Sequence, residues 1–203
     1  MQGNVGFGGS LKVKHIKGQR APLSWRLRNT LRPEFIHGWL GHILAHAYTR
    51  LFGAPVLLGK LSAVLIRADG STVNYGVLGY RVVTTAFVNF LVDQLQTDTT
   101  EIGDFKYHDS GVGTTAEASG DTAMETTDGE SRVAGTQVEG ASANIYKSVG
   151  TISYTTTKAI TEHGLFSSAA STTLMDRTKF TAVNVVSGDG IQFSYELTVT
   201  AGS

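Results

Sequence analysis

The strongest constraint on the fold lies near the C-terminus. In residues 191–200, Ile191, Phe193, Tyr195, Leu197 and Val199 are apolar, while Gln192, Ser194, Glu196, Thr198 and Thr200 are polar. Strict alternation over ten residues is a strand with one face on a core and the other toward water. The preceding Ser187-Gly188-Asp189-Gly190 supplies a turn.

The same period recurs upstream. Val64 and Ile66 alternate with Leu65 and Arg67, Asp69-Gly70 follows, and then come Val73, Tyr75 and Val77, a β-hairpin pattern with a favourable turn dipeptide. Strand-like runs also cover 105–107, 145–156, 160–166, 174–186 and 191–200. Many strands spaced by turns predict a mainly β chain, an antiparallel β-sandwich with one or two helices. One helix is expected over 34–52, where Phe35, Trp39, Leu40, Ile43, Leu44, Tyr48 and Leu51 recur at three- and four-residue steps and Gly53 ends the run. Gly38 and Gly41 weaken it by about 1 kcal/mol each relative to alanine, a cost that close packing would explain. A second is expected over 85–96, capped by Thr84, with Phe87, Phe90, Leu91 and Leu95 on one face.

Charge divides the chain where pattern does not. The formal net charge is zero, but residues 1–60 carry nine Lys/Arg and one acid, Glu34, and the remainder carries the opposite imbalance, so the two parts stand at +8 and −8. Opposite halves predict opposite environments. Residues 1–57 are therefore read as a basic N-terminal arm plus helix, a docking segment, and 58–203 as the sandwich. Within the arm, residues 1–33 are glycine-rich and weakly patterned, with an exposed strand expected over 11–16, and are expected to order on an anionic partner. Lys12, Lys14, Lys17, Arg20, Trp25, Arg26, Arg28 and Arg32 are its candidate partner-binding residues. Phosphate is one anionic partner, but no nucleic-acid recognition fold accompanies the charge, which favours an acidic protein surface.

No catalytic, cofactor or metal constellation emerges. There are no cysteines, so thiolate ligands and nucleophiles are excluded. Gly111-Val112-Gly113-Thr114-Thr115-Ala116 fits the dinucleotide-loop string, but a poor helix former follows it. His108-Asp109-Ser110 contains the hydrolase residue types, yet neighbours on a strand point to opposite faces and cannot form a relay, so polar turn residues at a strand end are expected. His42 and His46 lie four apart on the expected helix without a convincing third ligand. Residues 110–143, with Glu117, Asp121, Glu125, Asp128 and Glu130, lack a calcium-loop pattern and read as a solvated loop and hairpin. Glu162 and Asp176 are carboxylates that a glycosidase mechanism would need as neighbours. No uncharged apolar stretch is long enough to span a membrane, and the first residues do not resemble a secretion signal.

The run Phe105-Lys106-Tyr107-His108-Asp109-Ser110-Gly111, with Thr114-Thr115-Ala116-Glu117, Asp121-Thr122-Ala123-Met124-Glu125-Thr126 and Arg132-Val133-Ala134-Gly135-Thr136-Gln137, resembles segments of tailed-bacteriophage virion proteins. Ile160-Thr161-Glu162-His163-Gly164-Leu165-Phe166, Leu174-Met175-Asp176-Arg177 and residues 191–199 resemble the last strands of phage jelly-roll modules. The likeness covers roughly residues 62–203. It implies a jelly-roll β-sandwich and a virion structural protein without cofactor or enzymatic activity. The head decoration (cement) proteins are the first expectation: a homotrimer on the capsid surface whose partner is the major capsid protein. A neck, tail or fibre-base component, or a host- or glycan-binding module, is the alternative. On this reading the basic leader becomes ordered only by gripping a neighbouring subunit.

Overall fold

The computed structural model describes residues 18–96, 105–170 and 173–200. The elements run β1 (Gln19–Arg20), α1 (Leu23–Thr30), α2 (Pro33–Phe52), β2 (Val56–Ile66), β3 (Thr72–Val83), α3 (Thr85–Gln96), β4 (Tyr107–Gly111), β5 (Val133–Ala134), β6 (Thr136–Glu139), β7 (Ile145–Ser153), β8 (Lys158–Phe166), β9 (Leu174–Val185) and β10 (Gly190–Thr200). Strands dominate, and the expected antiparallel sandwich is present. The described residues hold three helices rather than one or two. The strand expected over 11–16 lies outside them.

The alternating segment β10 is a central strand. It pairs antiparallel with β2 on one side and β7 on the other, so that Ile191 faces Leu65 and Ile152, and Tyr195 faces Leu61 and Ser148. Its apolar residues enter two clusters: Ile191 and Phe193 join Leu61, Leu65, Ile152, Ile160 and Phe180, while Tyr195 and Leu197 join Phe87, Phe105, Leu165 and Met175. On the opposite face Glu196 meets Lys60 at 2.6 Å. In the turn before β10, the buried Asp189 carboxylate accepts from the backbone N–H groups of Val186 and Ala68 and from Arg67. Burial opposes its charge, but those donors hold its pKa below the usual carboxylate value.

The two sheets are joined at both margins. Strand β3 pairs first with β2 and then, through Val82 and Val83, with β9. Register shifts against Leu61/Ser62 and Ala63/Val64, with Gly76 at φ 68, give it the bend to change sheets. At the other margin Gly135 separates β5, which pairs with β4, from β6, which pairs with β7. Helix α3 closes one end. Thr84 Oγ1 accepts from Phe87 N as the expected cap, and Phe87 is buried against Phe105.

Residues 18–53 lie on this body rather than away from it. Strand β1 adds in parallel to β3 through Gln19↔Val73 and Arg20↔Asn74. Helix α2 runs from Pro33, at its N1 position, to a left-handed Gly53 whose N–H donates to Thr49 O. It packs on β3 and β2. Gly38 explains itself: a Cβ there would stand 2.9 Å from Tyr80 O. Gly41 does not, since a Cβ would meet nothing within 4 Å.

Candidate interaction surface

The buried carboxylates Glu162, Asp109 and Asp189 are paired within the chain. Arg177 on β9 donates from Nε to Glu162 at 2.6 Å, from Nη1 to Asp121 at 3.0 Å and from Nη2 to Glu125 at 3.2 Å and to Thr115 O at 3.1 Å. Desolvation opposes its charge, but Glu162 and Asp121 outweigh it and raise the guanidinium pKa. Glu162, wholly buried, also accepts from the N–H groups of Gly113, Thr126 and Glu125. The acidic segment 112–130 is thus the largely exposed loop expected, but it is stapled to the sandwich at Glu162 and Arg177. The apparent dinucleotide loop has a related explanation. Its backbone N–H cradles the chain's own Glu162, and a Cβ on Gly111 or Gly113 would stand 2.6 or 2.5 Å from Glu162 Oε1.

His108, Asp109 and Ser110 form part of β4 and are buried, not the turn expected of them. His108 Nδ1 lies 2.9 Å from His163 Nε2 and its Nε2 lies 2.9 Å from Ser148 Oγ. Gly135 and Gly150 leave room for that ring, each place where a Cβ would come within 2.6 Å of it. Asp109 points the other way to Arg132 Nε at 2.9 Å, while burial raises its pKa against that guanidinium. Ser110 donates to Asp128 at 2.5 Å and lies 3.0 Å from Tyr154 Oη. The three residues serve three separate contacts. Glu162 and Asp176 sit on neighbouring strands, where Glu162 faces Lys179 and Asp176 faces Leu165. With both oxygens of Glu162 occupied, it is not poised as one half of a glycosidase pair.

The partner-binding candidates divide. Lys12, Lys14 and Lys17 lie outside the described residues. Trp25 is half-buried on its own body: Nε1 donates to Ala182 O at 2.8 Å and the indole meets Tyr75 edge-on at 4.6 Å. Arg32 is 12% exposed and donates to Leu78 O, with Glu34 at 3.9 Å. Neither stands out as an anchor for another chain. The expectation that this stretch orders only on a partner is corrected over residues 18–53, because α1 turns Trp25 and Asn29 onto the body and Arg32, the N-cap residue of α2, follows them there. Asn29, buried, donates to Leu78 O and accepts from Thr181 N. These polar contacts to β3 and β9 order the helix in place. Arg20, Arg26 and Arg28 remain exposed and form no ion pair among the described residues. Arg20 and Arg26 line a cleft of ≈ 240 Å³ with Asn74, Tyr75 and Gly76.

Both helices turn their apolar side outward. On α1, Leu23, Leu27 and Leu31 just beyond it are 65%, 51% and 69% exposed. On α2, the side toward the sheet carries Gly38, His42, Ala45 and Thr49, and the opposite side carries Leu40, Ile43, Leu44 and Leu51. The small inner residues leave a cavity of ≈ 520 Å³ lined by Glu34, His37, His42, Leu57, Tyr80 and Glu117. There Lys179 takes Glu34 at 3.3 Å, and burial lowers the His42 pKa. His42 packs on Tyr80, whereas His37 and His46 are exposed. Among the described residues no group of three His, Asp or Glu is placed to hold a metal ion, and no helix is long and apolar enough to cross a membrane.

No protein-family model matches the chain, and no curated protein or solved structure shows significant similarity to it.

Proposed function

We propose that this chain is a non-enzymatic virion structural protein of a tailed bacteriophage, a jelly-roll head decoration protein. It would act as a homotrimer that binds the major capsid protein across subunit junctions and so stabilises the shell. The observation that carries the reading is the outward display of apolar rows, and of arginines without an ion pair among the described residues, by a body whose buried carboxylates Glu162, Asp109 and Asp189 are held by its own arginines. A chain built this way has a surface for assembly. Binding the assembled shell more tightly than free subunits stabilises it by linkage. The acidic remainder of the chain keeps decorated particles apart by like charge.

The mechanism differs from the sequence expectation in one respect. The surface over residues 18–53 is preformed on its own sandwich, so docking there requires little ordering of the chain, and the ordering cost falls. Arg20, Arg26 and Arg28 supply the attraction to an acidic shell, and the exposed leucines supply buried area. The test is incorporation into particles. Purified protein added to shells lacking it should bind in hundreds of copies and raise the temperature of shell disruption. A dozen or fewer copies would place it at the neck or tail, and failure to bind any particle would overturn the reading.

A further inference from the structure

The orientation of α2 is the reverse of a surface helix on a globular body. Such a helix normally turns its apolar stripe inward and its charges outward. Here Ile36, Leu40, Ile43, Leu44, Ala47 and Leu51 share the side opposite the sheet, spaced at three and four residues over 20 residues of helix. Trp39 and Tyr48 flank this stripe at 47% and 51% exposure, and Leu44 and Leu51 reach 67% and 75%. Between Glu34 and Arg50 the helix carries no Asp, Glu, Lys or Arg.

We infer that this face of α2 is the self-association interface, and that a second copy of the chain seats its own α2 against it. Three observations favour a second copy over a different partner. The stripe has the 3-4 spacing that packs helix on helix. Lacking acidic and basic residues along the stripe, it requires no charge-matched partner and can cover its own twin. At about 150–250 Å² for a fully exposed large aromatic side chain, and somewhat less for Leu or Ile, the exposed α2 residues present roughly 700 Å². Two such faces bury at most roughly 1,400 Å², which reaches the range of stable specific interfaces. This inference rests on the oligomeric part of the proposed function but not on any place in a particle.

The test is the solution mass of the full chain by light scattering and sedimentation. The wild type should run as a multiple of 21.6 kDa. Leu44→Lys and Leu51→Lys should each weaken association by at least roughly tenfold, since a lysine has no partner in that seam. Their far-ultraviolet dichroism and melting as monomers should stay intact, because both side chains project from the body. Val138→Lys, at an exposed site on β6, should leave the oligomer unchanged. A wild-type monomer at ~100 μM, far above the Kd of a stable interface, would overturn the inference. So would an oligomer indifferent to both α2 substitutions. A monomer that floats with anionic phospholipid vesicles until Leu44→Lys is made would assign the face to lipid, and one that associates only after deletion of residues 1–17 would assign it to the chain's own leader. Either result overturns the second copy. A monomer that still decorates shells would sink this inference and the homotrimer but leave the decoration role standing, and an α2-dependent oligomer that binds no shell would sink the decoration role alone.

Discussion

Arg177 shows why a charged residue in a strand is not by itself a sign of chemistry. Its guanidinium is 3% exposed, yet three carboxylates and one carbonyl surround it. Removing one partner strands the rest: Arg177→Met should lower stability by about 3–5 kcal/mol in chemical denaturation, and Glu162→Gln by a smaller part of that. The double variant should cost less than the two single losses added, because Glu162, the wholly buried carboxylate, is no longer left charged without its counterpart. Glu130 offers a pH test of the same logic. Lys158 Nζ donates to it at 2.6 Å, and the Thr155 N–H and hydroxyl at 3.0 and 2.9 Å hold the same oxygen, bringing its pKa to about 2. Its unfolded value is about 4.3. The folded state is therefore favoured fully above that value, and the advantage is lost as pH falls toward about 2. Glu130→Gln should lower the melting temperature at pH 7, and the gap to wild type should shrink steadily between pH 5 and pH 2.

At the scale of elements, two glycines one turn apart on α2 separate packing from propensity. Gly38 lies against the Tyr80 backbone, so Gly38→Ala should destabilise the protein, by about 1–3 kcal/mol if the helix cannot lift. Gly41 faces open space, so Gly41→Ala should stabilise it by about 0.5–1 kcal/mol through helix propensity. Thermal melts of the two variants would check the opposite signs. The sequence treats these glycines alike because their weakening of the helix is the same for both. Helix α1 escaped sequence reading for a related reason. Its eight residues are too few to be stable alone, and the 3.6-residue period of Leu23, Leu27 and Leu31 sits among basic and polar neighbours. It holds because Trp25 and Asn29 find carbonyls on β3 and β9. Strand β8 hides its polar staple differently. Alternation groups Glu162 with Ile160, but a register shift between them changes the facing, so His163 meets Phe193 in the core and Glu162 meets the 112–126 segment.

The whole molecule combines a sandwich whose buried ion pairs lie within its own chain with a helical layer that is apolar and basic on its outer side. If shell binding uses that layer, its rate should fall steeply as salt rises, because Arg20, Arg26 and Arg28 are solvent-exposed charges. Replacing all three by Glu should weaken particle binding at least tenfold at low salt, a loss of about 1.4 kcal/mol or more, while leaving the dichroism and melting temperature unchanged. A co-sedimentation assay across ionic strengths reads both effects. Equal binding by the triple variant would exclude these residues from the contact.

Local pattern was sufficient for the hairpin that joins β2 to β3, for β7–β10, for the Thr84 cap and for the extents of α2 and α3, because period two, period 3.6 and the turn residues are properties of neighbours along the chain; the first half of β2 and the second half of β3 lay outside the pattern. The opposition between a basic leader and an acidic remainder was equally legible, since it needs only counting. Which side of α2 faces the sheet was not, because apolar periodicity names a face without naming what lies beneath it. Nor was the pairing of Glu162 with Arg177, or of His108 with His163. Those depend on strands brought together by bulges and sheet crossings, and the contacts that join them span 15 and 55 residues of chain.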